Sequence, residues 1–261
     1  MKLEECIRKN YGLDIVSITK NEDSSDGNVY NIKTSNNKYI AKIYNDLNKA
    51  NNMINLHNHL KSLHIPRIIT TKDKEELLKF NNEYIVIYSF LEGKQVSTYL
   101  QENNNIFDKS IIKLIAKELR KFHDITLNTT LNLQQLEFAN NLERKSILHF
   151  DLTKENIFIN DNTVGFIDFD DAKYGDSICD IAILLSFLFI SKKKGIDKEN
   201  IKIFLDNYYK ENEEELRKKE LHYIKLYIKE WVDYVLNGHE FDSSLKDSFL
   251  FKKISTENLD I

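Results

Sequence analysis

The stretch Leu148–Asp171, LHFDLTKENIFINDNTVGFIDFDD, constrains the fold and chemistry of this chain more than any other feature. It combines a His-x-Asp pair, His149 and Asp151, with an amide at Asn156 and an acidic cluster that begins at Asp168. Phosphoryl transfer requires one carboxylate that accepts a hydroxyl proton and separate oxygen ligands that hold magnesium on nucleotide phosphates. The stretch therefore predicts a phosphoryl-transfer site, with Asp151 as proton acceptor and Asn156 and Asp168 as metal ligands.

A β-hairpin is predicted between the two halves of this stretch. Apolar runs at Ile157–Ile159 and Val164–Phe169 flank a turn-forming cluster at Asn160–Asn162, which is the pattern of two paired strands. Such a hairpin would return Asp168 to the side of Asp151, so that the site does not depend on a distant contact.

Each of these residues also has a structural interpretation. In that interpretation His149 would pack under the loop and Asp151 would cap a turn. Asn156 would bond its own backbone, as Asn and Asp commonly do. That alternative is strong for a single residue such as Asn156 or Asp170, and weak for the whole constellation.

Composition and charge exclude several classes of protein. With 261 residues and 41% hydrophobic content, the chain can fill one large domain or two lobes. A net charge of -4 and a pI near 6.0 give no basic field for nucleic acid. Cys6 and Cys179 have no metal-type spacing and indicate buried thiols in a reducing compartment.

The sequence carries no signal for a membrane. The start, MKLEECIRKNYGLD, lacks the apolar core of a signal peptide, and the longest apolar stretch, Ile181–Ile190, is too short to span a bilayer. We therefore expect a cytoplasmic protein with neither a membrane nor an obligate protein partner.

Hydrophobic patterning predicts a β-rich first part and a helical second part. After a short helical start, the predicted elements before the Leu148–Asp171 stretch are strands at Val29–Lys33, Lys38–Tyr44 and Glu83–Leu91 and helices at Leu47–Leu63 and Ser110–His123. From Asp176 onward everything except a loop at Lys192–Asp197 is predicted to be helical, including Glu199–Lys219 and Glu220–Asn237. The order indicates an α+β protein with a nucleotide lying across a cleft between two lobes, residues 1–91 and 92–261.

Taken together, the motifs GNVYNIK, KYIAKIY, LRKFHDI, HFDLTKENIF, GFIDFDDA and GDSICDIA resemble the aminoglycoside phosphotransferase and choline kinase superfamily. The resemblance covers most of the chain and implies a two-lobed protein-kinase-like fold, with a small β-rich N-terminal lobe and a larger, mainly helical C-terminal lobe. It implies binding of ATP or GTP with Mg²⁺, and transfer of phosphate to a small hydroxylated molecule.

The same resemblance assigns roles to individual residues. Asp151 would be the catalytic base, Asn156 and Asp168 the magnesium ligands, and Lys42 the cation that reaches the nucleotide phosphates. Ile87–Leu91, with Ser89, Phe90 and Leu91 at its end, would be the hinge that binds adenine through its backbone, and Gly27 would belong to the phosphate loop. Asp180 would brace the catalytic loop from below. The plain alternatives are a solvent-facing Lys42 and a helix-capping Asp180.

The chain departs from the family pattern in its lysine partner and in its phosphate loop. Related kinases place a Glu on the helix after the lysine strand, whereas this chain has Asn51, Asn52 and Asn55, so that Lys42 has a weaker amide partner or is reached by Glu75 or Glu76. The loop EDSSDGNVY offers a single glycine, Gly27. A nucleotide-binding pseudokinase that acts through protein association is therefore the second hypothesis.

A small molecule is the expected acceptor. Phe150 stands where protein kinases have Arg, and the dozen residues from Asp168 to Asp180 leave no room for a peptide-docking segment. Aromatic and acidic residues of the tail suit an amine by cation–π and ionic contacts, with core packing as the alternative; they are Glu211, Glu213–Glu215, Tyr227, Glu230, Trp231, Asp233 and Tyr234. A transition-metal hydrolase site at His149, Asp151 and Asp168 is the weakest reading, since Asn156 is a poor zinc ligand.

Overall fold

The structure is a computed structural model that describes residues 2–21, 28–129, 131–238 and 241–259. The chain divides into an N-terminal unit, Met1–Glu92, and a C-terminal unit, Gly93–Ile261. Among the described residues, no helix combines the length and apolar content needed to cross a membrane.

The N-terminal unit is built on an antiparallel sheet. Its elements in chain order are α1 (Leu3–Tyr11), β1 (Ile15–Lys20), β2 (Val29–Thr34), β3 (Lys38–Tyr44), α2 (Leu47–His59), β4 (Ile68–Ile69), β5 (Leu78–Phe80) and β6 (Glu83–Ser89). The sheet runs β1-β2-β3-β6-β4, with β5 also paired to β6. Alternate residues of the strands therefore face opposite sides of the sheet.

One side of this sheet carries the core of the unit. Ala41 and Ile43 of β3 are buried in a cluster with Ile85 and Ile87 of β6, and Ile7 of α1 belongs to the same cluster. α2 packs on the other side, where the His57 ring lies 4.6 Å from the Tyr88 ring. Both faces of the central strands are thus covered.

The C-terminal unit contains short strands and most of the helices. Its elements are β7 (Lys94–Gln95), α3 (Val96–Glu102), α4 (Lys109–Ile125), β8 (Lys145–Leu148), β9 (Ile157–Asn160), β10 (Thr163–Phe166), β11 (Lys173–Asp176), α5 (Ile178–Phe189), β12 (Ile190–Ser191), β13 (Gly195–Ile196), α6 (Lys198–Tyr208), α7 (Glu214–Gly238), α8 (Ser243–Ser255) and a 3₁₀ turn (Thr256–Asn258). The sheets are β7-β9-β10, β8-β11 and β12-β13. The α+β class and the helical character of the second part are confirmed.

Helix α5 is the centre of the C-terminal core. Nearly all of its residues are buried, and it packs against α6 and α7. α4 packs against α6 on one side, and α7 against α8 on the other. Cys179 lies within α5, and Cys6 within α1; both are buried free thiols, as predicted.

Several predicted element boundaries are wrong. The helix predicted at Glu199–Lys219 ends at Tyr208, and α7 begins at Glu214. Glu213 accounts for the break, because its carboxylate accepts the Lys210 N–H and pairs with Arg120 of α4. Strands β1, β8 and β11 were not predicted, and α2, predicted to continue to Leu63, ends at His59.

Candidate active site

The loop between β8 and β9, residues 149–156, is called the catalytic loop after its predicted role. It brings the predicted base, Asp151, and the predicted amide, Asn156, into contact. The side-chain nitrogen of Asn156 donates to the Asp151 carboxylate at 2.7 Å and to the Asp151 carbonyl at 2.9 Å. Asn156 is buried and Asp151 half-buried. Because the amide nitrogen makes both bonds, these contacts do not use the amide oxygen of Asn156, and its role as a metal ligand stays a prediction.

The β9-β10 hairpin places Asp168 next to this loop. Phe166 pairs with Ile157 at the open end of the hairpin. Beyond it, Ile167 donates its N–H to the Asn156 carbonyl at 3.0 Å, and its own carbonyl accepts from His149 Nε2 at 2.8 Å. The residue before Asp168 is thus bonded to the catalytic loop through both its N–H and its carbonyl, so the predicted return of Asp168 to the loop is observed.

The electrostatics of Asp151 suit a proton acceptor. Burial raises the pKa of Asp151, and the negative charges of Asp171 and Asp168 raise it further, while His149 and Asn156 lower it. A carboxylate with a raised pKa is a stronger base near neutral pH. Crowded carboxylates also favour a bound cation, since a cation relieves their repulsion.

A residue that the sequence analysis missed is Asp171. It is exposed, and its charge affects Asp151 more than that of Asp168 does. The sequence did contain the signal, since Asp171 is the last acid of the cluster DFDD. Asp168 and Asp170 of this cluster were considered, and Asp171 was not.

Asp180 of α5 holds the catalytic loop from beneath. Its carboxylate accepts the backbone N–H of His149 at 2.7 Å and of Phe150 at 2.9 Å. His123 Nε2 lies 3.2 Å from the same carboxylate. The bracing role implied for Asp180 is therefore seen in the contacts, and His123 and His149 both bond groups that hold the loop.

Lys42 lies on the side of β3 that faces α2. Its register partners are Val29 of β2 and Val86 of β6, whereas its neighbours Ala41 and Ile43 point to the core cluster on the other side. Lys42 is half-buried. Lys42 thus lies on the sheet face on which α2 packs, and its contact with nucleotide phosphates stays a prediction.

The predicted acidic partners of Lys42 have other surroundings. Glu76 accepts the Asn58 amide at 2.9 and 3.0 Å with its two carboxylate oxygens, and Glu75 is exposed. On α2, Asn52 is half-buried and Asn55 exposed. These contacts give no support to a Glu76 pairing with Lys42.

The predicted hinge follows the end of β6. The Ser89 N–H is bonded to the Arg67 carbonyl at 2.7 Å and the Phe90 N–H to the Lys38 carbonyl at 3.2 Å. The backbone N–H groups of Ser89 and Phe90 are therefore used in hydrogen bonds within the N-terminal unit. Leu91, which follows them, is buried. Gly27 of the predicted phosphate loop lies outside the described residues.

The acidic and aromatic residues of the tail do not form one site. Trp231 is buried between Phe187 and Phe249, with ring centres 5.2 and 5.6 Å away, so the core interpretation holds for it. Glu213 pairs with Arg120. Tyr227 donates to Asp176 and Asp233 pairs with Lys253.

Tyr234 is different, because its ring lies 5.2 Å from that of Phe150, the residue before Asp151. It is 40% exposed and also contacts Phe138 at 6.1 Å. Of the predicted aromatic set, Tyr234 is thus the member that adjoins the catalytic loop.

The donor set fits a hard cation. Magnesium takes oxygen ligands and usually binds proteins through one or two side chains together with nucleotide phosphates, and the Asn156 amide oxygen and the Asp168 carboxylate are ligands of that kind. Within the described ranges, no group of three or more His, Cys, Asp and Glu is arranged to hold a metal by itself. The predicted ligands, one amide oxygen and one carboxylate, are of the type that suits Mg²⁺ shared with a nucleotide.

Comparison with known proteins gives the context of this site. Residues 127–211 match the profile of the phosphotransferase enzyme family, APH, and this segment contains the whole catalytic loop and the hairpin. None of the curated proteins matches the sequence.

Solved structures with the same fold extend over almost the whole chain. An aminoglycoside phosphotransferase from Alicyclobacillus acidocaldarius has a TM-score of 0.71 at 14% identity, covering 98% of this chain and 92% of that one. Amicoumacin kinase, in complex with AMP-PNP, Ca²⁺ and its substrate, has a TM-score of 0.68 at 15% identity, covering 99% and 94%. The choline kinase LicA from Streptococcus pneumoniae has a TM-score of 0.64 at 14% identity, covering 98% of both chains.

These structures share the kinase-like architecture of this chain, while the family profile spans its catalytic loop and hairpin. Residues 127–211 thus carry the profile of the phosphotransferase enzyme family, and the chain as a whole has the kinase-like fold of these solved structures.

Proposed function

We propose that this protein transfers the γ-phosphate of ATP or GTP, with Mg²⁺, to a hydroxyl group of a small amine-bearing molecule. The observation that carries the proposal is the contact between Asp151 and Asn156 on one loop, with the residue before Asp168 bonded to that loop. These contacts support a site in which a base and two oxygen ligands act at one point, which is the arrangement that phosphoryl transfer requires.

In this mechanism Asp151 orients the acceptor hydroxyl and takes its proton. Asn156 holds the Asp151 carboxylate in place with its amide nitrogen and offers its oxygen, with Asp168, to Mg²⁺. The metal, when bound, neutralises charge on the phosphates. Lys42 adds a further positive charge at the phosphates. The backbone of Ser89, Phe90 and Leu91 binds the purine ring of the nucleotide, and Gly27 belongs to the loop over the phosphates.

A small acceptor fits the segment that follows Asp168. After a short turn, Lys173–Asp176 already pairs with β8 as strand β11, and α5 begins at Ile178. The segment therefore has no length left for docking a peptide. The exposed ring of Tyr234, which adjoins Phe150, and the exposed carboxylate of Asp171 favour an acceptor that carries an amine.

Substitution of the proposed base and metal ligand separates their roles. We expect Asp151→Asn to retain nucleotide binding and to lose turnover by about 10²- to 10⁴-fold, because proton transfer is removed while the metal ligands stay. We expect Asp168→Ala to lose Mg²⁺-dependent nucleotide binding. ADP release and isothermal titration with ATP and Mg²⁺ measure the two effects. Wild-type turnover in Asp151→Asn would remove Asp151 from its role.

The acceptor is identified by an ADP-release screen with ATP and GTP in parallel. The compounds are aminoglycosides, choline, ethanolamine, homoserine and, as acceptors without an amine, sugar alcohols. We expect turnover with an amine-bearing compound. Turnover with sugar alcohols alone would contradict the amine preference and leave the phosphotransferase proposal intact.

The second candidate function is a nucleotide-binding pseudokinase that acts through protein association. The observation that favours it is the row of asparagines on α2, Asn51, Asn52 and Asn55, where related kinases carry the acidic partner of the lysine. A thermal shift with ATP and Mg²⁺, without ADP release for any acceptor, would support it.

A further inference from the structure

A chain of buried polar side chains leads from Arg144 to the catalytic loop. Arg144 Nη2 lies 2.8 Å from the Tyr208 hydroxyl, which lies 2.7 Å from His123 Nδ1. His123 Nε2 lies 3.2 Å from the Asp180 carboxylate. Tyr208, His123 and Asp180 are almost completely buried, so water does not compete for these bonds.

The direction of each bond in this chain is fixed by its donors. A guanidinium can only donate, so the Tyr208 oxygen accepts from Arg144 and its own proton points to His123 Nδ1. The Asp180 carboxylate accepts two backbone N–H groups and is an acceptor toward His123 as well. His123 must therefore carry its proton on Nε2. Burial lowers the pKa of His123, which agrees with a neutral ring that holds a single proton.

At the end of this hydrogen-bond network that is distant from the catalytic loop, Arg144 contacts a second buried acid, Glu220. Arg144 Nη2 donates to Glu220 at 3.0 Å, and the guanidinium lies 5.3 Å from the centre of the Tyr208 ring. Tyr209, the next residue after Tyr208, donates to Glu220 at 2.7 Å. Tyr209 thus belongs to the same buried region and makes a hydrogen bond of similar length, but that bond does not lead to His123.

We propose that Tyr208, held by Arg144, is a positioning residue for phosphoryl transfer. Its hydroxyl donates to Nδ1 and so orients the His123 ring whose Nε2–H donates to Asp180, and Asp180 in turn holds the two backbone N–H groups that precede Asp151. The inference rests on the proposed function, since it assigns a role in placing the base of that reaction.

Loss of the Tyr208 hydroxyl has a defined consequence. Without the bond at Nδ1 the ring keeps its proton on Nε2, because the Asp180 carboxylate still accepts it, but the ring loses the contact that fixes its orientation. The bond from His123 to Asp180 is then less well aligned, and the hold of Asp180 on the His149 and Phe150 amides weakens. Turnover should fall while affinity for nucleotide is kept, because only the placement of the base changes.

The test compares Tyr208→Phe with Tyr209→Phe as the matched control. Each variant removes one buried hydroxyl from neighbouring positions. Nitrogen-15 NMR of the histidine rings reports the tautomer of His123 and the hydrogen bond at its Nδ1, and hydrogen exchange reports the two loop amides. ATP hydrolysis without an acceptor, followed as ADP release, gives kcat and the KM for ATP.

The wild type should show His123 as the Nε2–H tautomer with Nδ1 shifted by its hydrogen bond, and Tyr208→Phe should keep the tautomer but lose that shift at Nδ1. In Tyr208→Phe the His149 and Phe150 amides should exchange faster, and kcat should fall about tenfold, as for loss of one ordinary hydrogen bond, with the KM for ATP within about twofold of wild type. Tyr209→Phe should keep the shift at Nδ1 and leave kcat within about twofold.

An Nδ1–H tautomer in the wild type overturns the proposal without any variant, and so remains decisive even where Tyr208→Phe does not fold. Equal effects of the two substitutions on kcat, with the same loss of thermal stability, would show a purely structural role and also overturn it. If the wild type releases no ADP with any acceptor, the proposed function fails, whereas the NMR and exchange data still decide whether Tyr208 controls the loop.

Discussion

At the scale of single residues, Phe150 combines a costly backbone conformation with a packed side chain. Its φ of 67° lies in the left-handed region, which costs a residue with a Cβ about 1–2 kcal/mol. Two interactions hold it there. The Phe150 N–H is bonded to Asp180, and its ring packs against Tyr234 and Phe138. The catalytic loop thus keeps its shape before Asp151 at an energetic cost that neighbouring contacts offset.

This conformation predicts an unusual order of stability for two variants. Phe150→Ala and Phe150→Gly both lose the ring contacts, but only glycine adopts a positive φ without strain. We expect Phe150→Gly to be more stable than Phe150→Ala by about 1 kcal/mol, the reverse of the order in helices and strands. Unfolding in urea measures both free energies. A more stable Ala variant would show that residue 150 does not hold this conformation in solution.

At the scale of elements, α5 needs a partner at its carboxyl end, because the last carbonyl groups of a helix have no partner within it. Lys252 of α8 fills this role, donating to the carbonyls of Ser186 and Ile190. The lysine is 6% exposed, and burial lowers its pKa from 10.5 to about 8. Helix α8 therefore completes the end of the central helix with a group whose charge is costly to bury.

The pKa of Lys252 predicts a pH-dependent contribution to stability. Its pKa is lower in the folded than in the unfolded chain, so the penalty of the buried charge is full below pH 8 and disappears as pH rises toward 10.5. We expect the free energy of unfolding of the wild type, minus that of Lys252→Met, to increase by about 2 kcal/mol between pH 7.5 and pH 10. Guanidinium unfolding of both proteins at the two pH values measures it. A difference that is constant with pH would place Lys252 in water.

Elements were predictable where their signals are local. The β9-β10 hairpin follows from alternating residues around an Asn-Asp-Asn turn, and α4 follows from its apolar face. β8 and β11 have four residues each, and their pairing joins segments separated by the whole hairpin. The break between α6 and α7 depends on Arg120 of α4. Pairing and capping by distant residues leave no mark in a local pattern, which is why these features were missed.

At the scale of the whole molecule, the order of elements predicted a β-rich first part and a helical second part, and the resemblance of the motifs implied the kinase-like fold. The sequence also predicted that Asp151, Asn156 and Asp168 converge, because one loop and one hairpin carry all three. It could not predict that Tyr208 bonds His123, 85 positions away in the sequence, since the contact arises only when α6 packs on α4. The sequence therefore predicted that the loop and hairpin bring these three residues together. It did not predict the hydrogen bonds from α4 and α6 that support the loop.

The position of the two cysteines gives each unit its own chemical reporter of unfolding. Cys6 lies buried in the N-terminal unit and Cys179 in the C-terminal unit, and burial raises the pKa of both thiols, which slows their reaction with a thiol reagent. In Cys179→Ala only the N-terminal unit is labelled on opening, and in Cys6→Ala only the C-terminal unit.

We expect two separate labelling transitions in urea, with a steeper dependence on denaturant for Cys179, because the larger unit exposes more surface. Coincident transitions with equal slopes would show that the units open together. If the transitions are separate, labelling of Cys6 and Cys179 reports the effect of nucleotide on each unit independently, with no added probe.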